Sequence, residues 1–289
     1  MNAPLLDLRL TVDYQNKPGV LRDVHLEVQR GEVVGLIGES GSGKSTLALS
    51  IMRLLPGQAA APRGRIQFDG RDLLALKGSR MRAIRGREIA MVLQSPILAL
   101  NPALRIGTQM AETWRAHEKN SGLWKERALA TFDLVALPSG AELLERFPRQ
   151  LSVGQAQRVL IAMAIMHRPR LLIADEPTSA LDAITSAEVL ALFKTLSREL
   201  NMAMLFISHD LLSVAALCDR LAILRRGELV ESGPTAEIFH NPTHEYTRAL
   251  ISALPRHPLA IPVSNDLMAL SEFTRGQNEA EPVNAPAHV

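Results

Sequence analysis

Residues 38 to 45 read Gly-Glu-Ser-Gly-Ser-Gly-Lys-Ser, a segment built to hold an anion. Its glycines let successive backbone N–H groups turn inward around phosphate oxygens. A helix starting there would add its positive N-terminal end. Lys44 is placed to reach the outer phosphates of a nucleoside triphosphate, and the Ser45 hydroxyl to ligate Mg²⁺. The segment LLIADEP at 171–177 sets Asp175 and Glu176 at the end of an apolar strand, where uncompensated carboxylates are costly. Asp175 is the natural outer partner of Mg²⁺. Glu176 suits the carboxylate that orients or deprotonates an attacking water; helix capping after the strand is the simpler alternative. Leu151-Ser152-Val153-Gly154-Gln155 is a second polar, Gly-containing element fit to face phosphate. One nucleotide needs one cradle, so two such elements suggest two chains closing on it from unlike sides.

The flanking pattern supplies the scaffold. Residues 5–13 and 20–28 alternate as strands around the turn Lys17-Pro18-Gly19. A buried strand at 32–37 runs into the Gly-rich segment, and a helix over 44–54 ends near Pro56-Gly57. Further strands are expected at 65–70, 89–94, LLIADE, AMLFISHD and RLAILRRG, with helices at 183–200 and 210–218. Residues 103–167 read as a helical insertion, and 235–254 as a helix interrupted at Asn241-Pro242. Strands alternating with helices predict a largely parallel sheet covered on both faces. Residues 256–289 lose periodicity and are expected to form a mobile tail.

At 289 residues and 47% hydrophobic the chain can bury one large α/β core. A net charge of +2 gives no case for nucleic acid as the main partner. Arg80, Arg82, Arg85 and Arg87 read as a solvated loop. A single cysteine, Cys218, permits no internal disulfide and is expected to pack in the core, in a reducing compartment. Neither a signal peptide nor a run of about 18 apolar residues is evident, so any membrane domains are expected on other chains.

With these motifs in place, the chain resembles the ATP-binding cassette (ABC) ATPases over residues 5 to about 255. The resemblance implies a P-loop α/β fold: a RecA-like parallel-sheet core, an antiparallel β subdomain, and a helical subdomain at about 103–167. It implies ATP and Mg²⁺ as cofactors. Gly38, Glu39, Ser40, Gly41, Ser42, Gly43, Lys44, Ser45 and Thr46 would hold ATP, and Tyr14 matches the aromatic that stacks on adenine. Gln94 matches the Q-loop glutamine, which senses the Mg²⁺ held with Ser45 and Asp175. Glu176 and His209 complete the catalytic set. Ser152, Val153, Gly154 and Gln155 would serve the partner's site, and Asp182 the D-loop between subunits. The common signature is LSGGQ. Val153 departs from it, and a β-branched residue is tolerable there if φ stays below zero.

QSPILALNP at 94–102 and HNPTHEYTRALISALP at 240–255 resemble the peptide/nickel importer branch, with Glu245 where HPYT has proline. No cysteine follows Cys218, so the iron–sulfur segment of many such subunits is not expected. The resemblance implies an ATPase energising uptake of oligopeptides or dipeptides at the cytoplasmic face of the inner membrane. Its partners would be a second ATPase subunit, identical or related, two permeases, and through them an extracytoplasmic binding protein. Nickel, a metal chelate or another small solute is the alternative cargo. A soluble ABC ATPase of another process is the rival class.

Overall fold

The computed structural model describes residues 3–254 except 16, 119 and 139; the tail expected at 256–289 lies outside the described residues. In chain order the elements are β1 (Leu6–Tyr14), β2 (Lys17–Val28), β3 (Val33–Ile37), α1 (Lys44–Ile51), β4 (Arg63–Phe68), β5 (Arg71–Asp72) and α2 (Gly78–Ile84). There follow β6 (Ile89–Val92), α3 (Pro96–Ala99), α4 (Ile106–Arg115), α5 (Trp124–Leu134), α6 (Gly140–Glu145), α7 (Val153–Ile165) and β7 (Leu171–Asp175). The last are α8 (Ala183–Glu199), β8 (Ala203–Ser208), α9 (Leu211–Leu217), β9 (Arg220–Arg225), β10 (Glu228–Pro234), α10 (Thr235–His240) and α11 (Glu245–Ser252).

Two sheets result. The order β2-β1-β4-β5 is antiparallel, whereas β9-β3-β8-β7-β6 run parallel, with β10 antiparallel at the β9 edge. Every residue of β3, β7 and β8 is buried, as a sheet covered on both faces requires. Successive side chains in a strand point to opposite faces. Leu171 and Ile173 therefore enter a core shared with β1, β2 and α1. Leu172 and Ala174 enter a second core with Phe132, Val159 and Phe193 of the helices. The P-loop strand β3 divides in the same way, with Val34 and Leu36 on one side and Val33 and Ile37 on the other. Cys218 is buried in the helical core, and burial pushes its thiol pKa up.

Two stretches differ from expectation. Arg80, Arg82 and neighbours form helix α2 rather than a loop. Arg85 at its end donates to the carbonyls of Met52 (2.7 Å) and Arg53 (2.8 Å), which closes the exit of α1. Residues 228–234 form β10, because Arg226 and Gly227 both take positive φ and turn β9 back in a two-residue hairpin. Alternation there is too weak to announce a strand. Elsewhere α1 stops at Ile51, short of 54, and β4 begins at Arg63.

Candidate functional site

Strand β3 delivers the chain to Gly38 deep against β9. A Cβ on Gly38 would lie 2.1 Å from the Leu224 carbonyl oxygen, so only glycine fits. Gly43, the residue before α1, takes φ of 113°, a conformation that side chains resist. The loop between them curls over Lys44, whose Nζ donates to the carbonyls of Gly38 (2.7 Å) and Glu39 (3.1 Å). Lys44 is 6% exposed, and burial lowers its pKa against the opposing pull of Glu176 and Asp175. The loop is thus already bent around a cation, with its lysine held by weak neutral acceptors that an anion can replace.

Asp175 ends β7 on the adjoining rim. Burial raises its pKa, and the facing Ser45 hydroxyl offsets part of that rise. Its Oδ1 is enclosed with no hydrogen-bond partner. An orphaned carboxylate oxygen beside a serine hydroxyl is a donor set that fits a hard dication such as Mg²⁺.

Glu176 follows immediately, with φ of 47° in the left-handed region. Such a backbone costs about 1–3 kcal/mol and is typical of functional sites. It is held by the Glu176 N–H donating to Ile207 O (2.9 Å) and by the Ser179 hydroxyl donating to Glu176 O (3.0 Å). The turn brings Glu176 Oε2 within 3.3 Å of Gln94 Nε2 and 3.2 Å of His209 Nδ1. Three polar residues from the ends of β6, β7 and β8 therefore meet at one oxygen.

One cavity of about 640 Å³ joins Tyr14, Ser40, Gly41, Gly43, Lys44, Ser45, Thr46, Gln94 and Glu176. Its far wall adds Gln15, Lys17, Val20 and Gln58, which no motif announced. They arrive because the β1–β2 turn and the loop before β4 meet there, with Tyr14 bridging to Ala59. Replacing Tyr14 with Ala should weaken ATP binding by about 1–3 kcal/mol, the worth of one base–aromatic stack, and leave inorganic tripolyphosphate binding unchanged. Equal titration curves for ATP in both proteins would return Tyr14 to a packing role.

None of Ser152, Val153, Gly154 or Gln155 lines that cavity. They line a separate one of about 420 Å³ with Arg158, Leu181, Asp182 and Thr185. Ser152 caps α7 by accepting from Gln155 N at 3.2 Å, which leaves its own O–H free to donate outward. Gly154 lies so near α8 that a Cβ would approach the Thr185 methyl to 2.8 Å. Asp182 caps α8 by accepting from Thr185 N (3.0 Å) and its hydroxyl (2.7 Å), so signature and D-loop share Thr185 as a fixed neighbour. Arg158 Nη2 adds a 2.8 Å ion pair to Glu188. Val153 is the first residue of α7, is absent from the positive-φ residues and is 38% exposed. It therefore needs no glycine. Val153→Gly should leave the ATPase rate within about twofold, while a glycine in a helix costs roughly 0.5–1 kcal/mol of stability. A rate change beyond tenfold in a steady-state assay would show that valine tunes the site.

One Gly-containing element opens onto the cavity that holds Glu176, and the other lines a separate cavity. That division defines an ATPase cassette of the P-loop class. A model of the ABC transporter family matches residues 21–179, and one of the oligopeptide/dipeptide transporter C-terminal region matches 230–267. The chain belongs to the ABC transporter family. It is 41% identical to the oligopeptide transport ATP-binding protein OppD of Bacillus subtilis over 84% of this chain and 68% of that one. It is 42% identical to the glutathione import ATP-binding protein GsiA of Escherichia coli K12 over 84% of this chain, though over only 40% of the longer relative. Among solved structures, cbiO1 of Clostridium perfringens, part of the transporter complex cbiONQ, superposes with a TM-score of 0.72 at 26% identity, covering 88% of this chain and 97% of that one. The dimeric cassette MJ0796 gives 0.69 at 28% identity over 80% and 98%.

Proposed function

We propose that this chain is the ATP-hydrolysing subunit of an ABC importer for oligopeptides or dipeptides. The convergence of Gln94, Glu176 and His209 beside the phosphate loop carries the hydrolytic half of that reading. The C-terminal match at 230–267 and the peptide-import relatives support the cargo. Residues 5 to about 255 serve as the cassette, with 103–167 as its helical arm. Ser152 to Gln155 belong to a partner's nucleotide, since in this chain they face a different cavity from Lys44. Two cassettes, alike or merely related, close on ATP and reopen after hydrolysis. Among the described residues no helix is long and apolar enough to cross a membrane. On this reading the work is delivered to permease subunits at the cytoplasmic face, and through them to an extracytoplasmic binding protein, in keeping with the import relatives.

In the step itself, Lys44 and the loop N–H groups hold the phosphates. Glu176 takes the proton from the attacking water, and Gln94 and His209 orient its carboxylate. Ser45, Asp175 and Gln94 would hold Mg²⁺, which when bound neutralises charge on the β- and γ-phosphates.

Leu93, Ile97 and Leu98, on either side of Gln94, are 45%, 65% and 87% exposed, an apolar surface beside the catalytic glutamine. It suits a permease segment. Leu98→Asp should keep the ATPase of the isolated chain and abolish peptide uptake in cells. Uptake at the wild-type level would remove this surface from the docking site. Affinity purification from native membranes, with identification of partners and bound cargo, tests the whole. Recovery of permeases with a nickel or chelate binder would redirect the cargo, and a soluble complex without permeases would overturn transport.

A further inference from the structure

Strands β1 and β2 carry a second group of ligating side chains, apart from the nucleotide cavity. Alternation buries Leu6, Leu8 and Leu10 of β1 with Val24, Leu26 and Val28 of β2. Asp7, His25 and Glu27 therefore share the outer face of the antiparallel sheet. The register sets Asp7 directly opposite Glu27, with His25 on the same strand as Glu27 and one side-chain period away. Like charges directly opposed on neighbouring strands are destabilising, so this pair calls for a cation between them. Asp7 stands near the start of β1 and Tyr14 at its end, roughly 23 Å of strand apart.

The three side chains converge on one point. His25 Nε2 lies 3.4 Å from Asp7 Oδ1 and 3.6 Å from Glu27 Oε1, and one ligand atom from each residue falls within 4.8 Å of the others. A tetrahedral ion about 2.0–2.2 Å from each donor sets its donors about 3.3–3.6 Å apart. The two histidine distances match that spacing. Asp7 Oδ1 is enclosed and accepts no hydrogen bond, so the nearby ring nitrogen is not aimed at it as a donor. An enclosed carboxylate oxygen without a donor is unfavourable, and a metal ion is a partner that fits it. The other oxygen is held from β4, where Arg65 Nη2 donates to Asp7 Oδ2 at 2.9 Å. Such an outer contact orients a ligating carboxylate. Arg9, opposite His25, is paired at 2.6 Å with Asp23 instead.

We propose that Asp7, His25 and Glu27 form a site for a divalent transition-metal ion of the Zn²⁺ class, which bridges β1 and β2. One imidazole and two carboxylates suit Zn²⁺ and leave its fourth position to water. Mg²⁺, which demands an octahedral shell of oxygens, does not compete there. His25 is half-exposed, so the ion enters from solvent without opening the core. The site shares no residue with the nucleotide cavity and stands independently of ATP hydrolysis.

Isothermal titration of the full chain with Zn²⁺, in excess Mg²⁺, should show one more site in the wild type than in His25→Ala. Loss of an outer contact typically costs 10- to 100-fold in metal affinity, so loss of this direct ligand should cost about 100-fold or more. Glu27→Gln removes a ligand from the same strand and should weaken the same site. Zn²⁺ should raise the melting temperature of the wild type and leave that of His25→Ala unchanged, because an ion that binds only the paired strands stabilises them. His25→Ala changes an outer-face residue, so its metal-free melting temperature should stay near that of the wild type. A wild type that takes up no Zn²⁺, or a His25→Ala variant with the same stoichiometry and affinity, would overturn the site.

Discussion

Glu176→Gln is expected to lower ATP turnover by about 10²- to 10⁴-fold, the usual worth of a positioned general base. Glutamine has the same shape, so it can keep the left-handed backbone and the contacts of Glu176 to Ile207 and Ser179. What disappears is the one carboxylate in this cluster, the group placed to take the proton of the attacking water. Gln94 Nε2 and His209 Nδ1 both converge on Glu176 Oε2, so each is placed to orient that carboxylate. Binding of ATP should survive, because Lys44 and the loop are untouched. The variant should therefore accumulate as an ATP-bound dimer, visible by light scattering with ATP and absent without it. Near-normal turnover would show that the base lies elsewhere and that Glu176 only caps the turn after β7.

Lys44→Ala is expected to act earlier, on binding. Hydrogen bonds to charged groups are worth about 1.5–3 kcal/mol each. Losing two phosphate contacts of this kind would weaken ATP by roughly 10²-fold or more. The structure adds a reason for a large effect. Lys44 Nζ bridges the carbonyls of Gly38 and Glu39, so alanine also removes the group that keeps the loop curled. Tyr14→Ala spares that loop and should cost less, which isothermal titration of the two variants would resolve. ATP affinity in Lys44→Ala equal to that in Tyr14→Ala would contradict the assigned roles.

The continuous apolar runs of β3, β7 and β8 and the long helix α8 were readable in advance. Elements whose existence depends on a distant partner were not. Helix α2 is stabilised at its end by Arg85 reaching back to Met52 and Arg53, more than 30 residues earlier in the chain. Strand β10 exists because Arg226 and Gly227 reverse the chain beside β9, although Glu228–Pro234 has little apolar pattern of its own. At the site, Lys17 and Gln58 carry no motif, and only the packing of two loops places them on the cavity wall.

By itself the sequence determined the phosphate loop, the paired carboxylates after an apolar strand, and the signature with its valine. Each is a short contiguous motif whose conformation depends on local backbone freedom and hydrogen bonds. The tertiary structure alone decided which of them act together. Residues 94, 176 and 209 meet because parallel strands β6, β7 and β8 end at the same edge. Packing of the start of α7 beside that of α8 sets Ser152 and Gly154 in a different cavity, with Asp182 and Thr185. Convergence of residues far apart in the chain is a property of strand order and packing, which no local pattern encodes.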